Sequence, residues 1–217
     1  MGTITRTFTN NIGASGVLGS SAFNNSSLNS VTSIPGAVTM KLLSTATLSG
    51  DTNVSFTTGL DSTYDEYWFV FNNIHPSNNS TRVMFNGSSD GGSNYNVTKT
   101  TTMYQAYHNE AGTDANLVYE TGTDAAQSTG FDYLGGDIGN GNDQSTSGIF
   151  KLFNPSSTTY VKHFTSDFST AAGSSNTYCV RHQKSGYFNT TSAVDAMRFQ
   201  MVSGTMDGGT IKLYGVS

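Results

Sequence analysis

In DAMRFQMVSG, residues 195–204, the apolar Met197, Phe199 and Met201 occupy every second position, with Arg198 and Gln200 between them. Successive side chains of a strand point to opposite faces, so this alternation predicts a β-strand with one buried and one wet face. It returns in GTIKLYGV, residues 209–216, where Ile211 and Leu213 alternate with Lys212 and Tyr214. Asp207-Gly208-Gly209 between the two runs is turn chemistry, and the pair is expected to form a C-terminal hairpin.

Further strands are predicted at residues 38–48, 53–58, 64–74, 81–87, 101–109, 146–154, 158–168 and 177–188, ten in all with the final pair. Gly/Asn/Ser/Pro clusters of turn length separate them, among them PSNN, SSDGGSNY and GGDIGNGNDQS, and SSDGGSNY is expected to close a hairpin. No window of eleven or more residues shows helical spacing with caps. Many short strands without helices predict an all-β fold, an antiparallel β-sandwich of jelly-roll-like form, over residues 38–217.

Residues 1–37 differ in texture. Ile4, Phe8, Ile12, Val17, Leu18 and Phe23 stand singly among small polar residues, too sparse for a core strand and superfluous in a plain linker. They are expected to be the anchor points of an extended N-terminal arm that orders by docking on a neighbour.

YDEYWFVF, residues 64–71, carries apolar side chains on both faces of one strand. Either the strand is covered on both sides, or the face bearing Trp68 and Val70 is a subunit interface. The other possibility is a stacking platform for sugar, although aromatics serving that purpose usually alternate with polar groups.

Composition limits the functions open to such a fold. The 217-residue chain has 10 Lys and Arg against 15 Asp and Glu, a net charge of -5, and only 12% charged residues. No basic stripe is present to neutralise phosphates, so nucleic acid is not an expected partner. No apolar stretch approaches the roughly 18–20 residues of a membrane span, and the first residues lack the pattern of a signal peptide. Synthesis in a cytoplasm without membrane insertion is therefore expected. The single Cys179 excludes an intrachain disulfide and is expected to be a buried free thiol.

Catalytic and cofactor motifs are not found. His75, His108, His163 and His182 stand alone, and Asp65, Glu66, Glu110 and Glu120 form a glycosidase pair only if the fold brings two of them together. The loop DIGNGNDQS places Gly139 and Gly141 where a helix-loop-helix calcium site needs oxygen donors. A looser cation site in a β loop would use Asp137, Asn140, Asn142 and Asp143. No cofactor is expected, and the chain is read as non-enzymatic.

Whole phrases of the sequence, STYDEYWFVFNNIHP, FNGSSDGGSNYNVTKTTT, LVYETGTDAAQSTGF, GNDQSTSGIFKLFNPSSTTYVKHF, YFNTTSAVDAMRFQMVSG and DGGTIKLYGVS, resemble virion-associated structural proteins of marine tailed bacteriophages. The likeness spans about residues 42–217 and brings no catalytic residues with it. It implies a structural component of the virion, a capsid decoration or head fibre or else a tail appendage, released by host lysis. Partners would be further copies in a homotrimer and other virion proteins. The alternative is a receptor- or glycan-binding tail-fibre tip that contacts a host surface glycan.

Overall fold

The structure is a computed structural model that describes residues 40–172 and 178–217. The expected arm and its six apolar anchors lie outside the described residues. Among those described, every long element is a strand, and the one helical segment is a single 3-10 turn at Thr121–Thr123.

Twelve strands form two antiparallel sheets. They are β1 (Met40–Thr47), β2 (Asn53–Phe56), β3 (Glu66–Pro76), β4 (Val83–Ser88), β5 (Lys99–Asn109), β6 (Ala115–Tyr119), β7 (Asp132–Tyr133), β8 (Thr146–Phe153), β9 (Lys162–Ala172), β10 (Tyr178–Phe188), β11 (Ala196–Met201) and β12 (Met206–Val216). The larger sheet runs β1-β12-β3-β8-β9-β10-β5-β6, and the smaller runs β2-β11-β4-β7. Four pairings are nested: β1 with β12, β2 with β11, β3 with β8, and β4 with β7, alternate pairs falling in opposite sheets. Two excursions, β5–β6 and β9–β10, widen the larger sheet beyond β8.

All ten expected strands are present, so the two-residue period was a sound guide to the elements. It was a poor guide to their partners. β11 and β12 do not pair: β11 lies between β2 and β4 of the small sheet, and β12 between β1 and β3 of the large one. Asp207-Gly208-Gly209 is not a turn but an irregular stretch inside β12, opposite the bulged Asn72-Asn73 of β3. Gly209 has φ +103°, and a Cβ there would lie 2.4 Å from the Asn73 carbonyl oxygen, so the close approach requires glycine. The expected hairpin at SSDGGSNY fails in the same way, since β4 and β5 belong to different sheets. That segment does turn: Asp90 accepts from the Asn94 backbone N–H (2.9 Å) and the Ser88 hydroxyl (2.7 Å).

The core lies between the sheets and is largely aromatic. Tyr67, Phe69 and Phe71 of β3, Phe150 of β8, Phe164 and Phe168 of β9, Phe85 of β4 and Phe199 of β11 are all essentially inaccessible. Their rings meet mainly edge to face, Phe69 and Phe199 at 5.0 Å between centroids and Phe85 and Phe164 at 5.2 Å, the arrangement ring quadrupoles favour. Burial of an apolar side chain contributes about 1.5–3 kcal/mol, and in a chain without disulfides this cluster is the main source of stability. The extension of the large sheet is covered on its inner side by residues 121–138, in which only Asp132–Tyr133 (β7) is strand. Backbone bonds between Lys99 and Ser128 (2.9 and 3.0 Å) and from Thr101 N–H to Ala125 (2.8 Å) tie that segment down.

Candidate functional site

The outer face of the large sheet has no second layer among the described residues. Antiparallel register carries rows of side chains straight across it: Leu42, Tyr214, Trp68, Lys151, Thr165, Ser185 and Thr102 form one row. The next contains Lys212, Val70, Ile149, Asp167, Gln183, Tyr104 and Tyr119. The strand YDEYWFVF thus divides as its parity requires. Tyr67, Phe69 and Phe71 enter the core, whereas Trp68 and Val70 remain half-exposed on the open face. Met40, Leu42, Tyr104, Leu117 and Tyr119, five of the seven large apolar residues exposed among those described, lie on this same face. Met40 and Leu42 adjoin Tyr214 and Trp68 at the β1 edge, whereas Tyr104, Leu117 and Tyr119 lie at the β5–β6 edge, with Thr165, Asp167, Gln183 and Ser185 between the two groups.

Polar groups hold the aromatics in position. Trp68 Nε1–H donates to Glu66 Oε2 (2.8 Å), and the Lys151 ammonium sits 4.0 Å from the Trp68 ring centroid, a cation–π contact. Arg181 grips Asp167 with two bonds, Nε to Oδ1 (2.9 Å) and Nη2 to Oδ2 (2.5 Å), while Gln183 Nε2–H donates to Oδ2 (3.2 Å) and accepts from the Tyr104 hydroxyl. The Arg181 hydrogen bonds, followed by that of Gln183, hold the Asp167 carboxyl below the usual carboxylate range. Between the aromatic half and this cluster runs a groove of about 360 Å³ lined by Ile149, Lys151, Asp167, Gln183 and Tyr104.

No protein-family model, curated protein or solved structure matches the chain.

The other sequence candidates are dispersed. Asp65 immediately precedes β3 and Glu66 begins it, while Glu110 lies in the β5–β6 turn and Glu120 follows β6. In the loop before β8, Arg82 Nε–H donates to Asp137 (2.6 Å) and the Asn140 amide to the Ser77 carbonyl (3.2 Å). Among the described residues no group of three His, Cys, Asp or Glu surrounds that loop or any other point. Cys179, expected to be buried, is exposed, because on β10 it shares parity with Arg181 and not with the inward-facing Val180.

Sequence reasoning missed the buried cations. Lys99, Lys162 and Lys184 are inaccessible on the inner side of the extension. Strand parity was the available signal, since Lys184 alternates in phase with Val180, His182 and Phe188. The Lys162 ammonium donates to the carbonyls of Tyr160 (2.7 Å) and Thr190 (3.1 Å). Lys184 pairs with Asp132 at 2.8 Å, and Lys99 donates to the Gly130 carbonyl with the Phe85 ring 5.7 Å away. Burial lowers all three ammoniums, Lys99 to about 8.

His182 is buried beneath Gly136, where a Cβ would come within 2.5 Å of its Nε2. Its Nε2 meets Gln105 Oε1 at 3.0 Å, while Nδ1 has no partner. Burial, then the nearby Arg82 charge, pushes the imidazole down to about 4. The folded protein therefore refuses a proton that the unfolded chain accepts below 6.5, so stability falls as pH drops from 6.5 to 4. The difference is worth on the order of 3 kcal/mol. The Asp207 hydrogen bond raises His75, whose contribution is complete below 6.5 and lost as pH rises above it, in a separate window. Urea denaturation of the wild type at several pH values should show the loss between 6.5 and 4, and His182→Gln should flatten it.

Proposed function

We propose that the chain is a non-enzymatic structural protein of a tailed-phage virion, exposed on the particle as a capsid decoration, head fibre or tail appendage. The observation that carries this reading is the open outer face of the large sheet, with Leu42, Tyr214, Trp68, Val70 and Ile149 side by side. Such a face suits contact with further copies, and a homotrimer is the assembly proposed. The nested strand pairs read as a jelly roll with two hairpin insertions, an architecture used in viral capsid and lectin domains. Because folds do not fix functions, the placement on a virion rests on the resemblance of the sequence phrases alone, and the open face is proposed as the means of attachment.

The arm is the second anchor. Ile4, Phe8, Ile12, Val17, Leu18 and Phe23 would each contribute about 1.5–3 kcal/mol on docking, which meets part of the roughly 1–2 kcal/mol per residue that backbone ordering costs and leaves the rest to polar contacts with the neighbour. A chain beginning at Val38 is expected to stay β-rich with little change in melting temperature, yet to fail to incorporate into particles. Quantitative mass spectrometry of purified particles checks this; full occupancy by the shortened chain would remove the arm from the account.

A second reading has its own observation. The groove beside Lys151 sets Tyr104 next to Asp167, Arg181 and Gln183, an aromatic ring beside paired donors and acceptors of the kind that hold a sugar. A receptor- or glycan-binding tip would bind oligosaccharides there, and Tyr104→Ala would abolish that binding without altering particle incorporation.

A further inference from the structure

Asp132 and Lys184 lie in different sheets. Asp132 belongs to β7 at the edge of the small sheet, Lys184 to β10 in the large one, and their side chains meet at 2.8 Å with 5% and 0% exposure. From this geometry we propose that Lys184 and Asp132 condense spontaneously into an isopeptide bond that staples the two sheets together.

The surroundings supply what an amide condensation needs. Asp132 Oδ1 accepts the Tyr133 backbone N–H (2.8 Å), a donor placed to stabilise negative charge on that oxygen. Oδ2 accepts the Thr101 hydroxyl (2.8 Å) and faces the Lys184 Nζ. Nζ is aimed by the Thr123 carbonyl (2.6 Å) and is also near Thr101 Oγ1 (3.4 Å). Lys99 is the third ionisable group, close enough that its charge and those of Asp132 and Lys184 act on one another. Condensation begins with transfer of a proton across the 2.8 Å contact from the Lys184 ammonium to the Asp132 carboxylate, and burial of Lys184 favours its uncharged amine.

The amine lone pair then attacks Cγ, and charge develops on Oδ1 under the Tyr133 N–H. The tetrahedral species collapses with cleavage of the Cγ–Oδ2 bond. Oδ2 leaves as water, carrying the acid proton and one proton from the attacking nitrogen, with the Thr101 hydroxyl, which touches both Oδ2 and Nζ, as relay. One ammonium and one carboxylate become one amide and one water, with no redox change and no co-reactant. Two groups locked in a dry site react as if present at about 10⁵–10⁸ M, which offsets the reluctance of amides to form in water. The product also replaces a buried ion pair, costly to desolvate, by a neutral group. In a chain whose single cysteine leaves it without a disulfide, such a bond is the covalent cross-link open to it.

The test is the mass of the intact wild-type protein, purified folded and then denatured. It should be one water lighter than its sequence. Digestion should yield a branched peptide joining the segments around residues 132 and 184, with trypsin failing to cut after Lys184. Asp132→Ala and Lys184→Arg should both restore the full sequence mass. Asp132→Asn, which expels ammonia instead of water, should arrive at the same cross-linked product, so the inference does not depend on the folding of any one variant. Wild-type protein at its full sequence mass, with separate peptides and a Lys184 amine that labels on unfolding, would overturn it.

Discussion

Phe199→Ala is expected to cost about 3–5 kcal/mol, the range for deleting a fully buried aromatic ring, and so to take away much of a stability that is about 5–15 kcal/mol for an ordinary domain. The position is the reason. Phe199 sits on β11, the central contact of the small sheet, and its ring meets Phe69 and Phe71 at 5.0 Å, Phe150 at 6.1 Å and Phe56 at 6.2 Å. Four rings from three strands of two sheets lose a shared partner at once, and the backbone of a strand paired on both sides cannot collapse into the space. Equilibrium denaturation in guanidinium should show a lowered midpoint at an unchanged slope. Tyr160→Ala, at a residue 71% exposed, should shift stability by no more than about 0.5 kcal/mol.

The same residue shows what alternation can and cannot tell. Met197, Phe199 and Met201 fall on the buried side of β11 as their spacing says, and the all-β class and every expected strand follow from runs of this kind. β6 escaped because ANLVY is an edge strand with four of its five residues apolar and no clear period. Pairing was illegible for a different reason. Asp207-Gly208-Gly209 has the composition of a hairpin turn, and only the close passage of β3 at Asn73 makes it an in-strand irregularity. Partners far apart in sequence, such as Phe56 and Met197, leave no local mark.

Of the candidate face, Trp68 and Val70 were legible because a strand apolar on both sides must hide one of them. Asp167, Arg181, Gln183 and Tyr104 were not, since each comes from a polar position of an ordinary strand and acquires meaning only when β9, β10 and β5 lie in register. Lysine as a residue type gives no sign of burial at Lys99 and Lys184, although the phase of Val180, His182 and Phe188 places Lys184 inward.

The second large effect concerns assembly through the open face. Trp68 and Val70 occupy adjacent rows at its centre, between Tyr214 and Lys212 on one side and Lys151 and Ile149 on the other. If copies meet there, replacing both by glutamate removes two apolar contacts of about 1.5–3 kcal/mol each and asks a contact to bury two carboxylates, a loss of at least about a hundredfold in association. Both side chains point away from the core, so the fold should survive. Trp68 is the only tryptophan, and its fluorescence reports directly on whether the face is covered. Sedimentation velocity of the full chain at micromolar concentration is the measurement that bears most directly on the proposal. The wild type should sediment as a homotrimer with Trp68 shielded from quencher, and Trp68→Glu/Val70→Glu as a folded 23.0 kDa monomer; a wild type that sediments as that monomer, or a double variant that still forms the trimer, would contradict it.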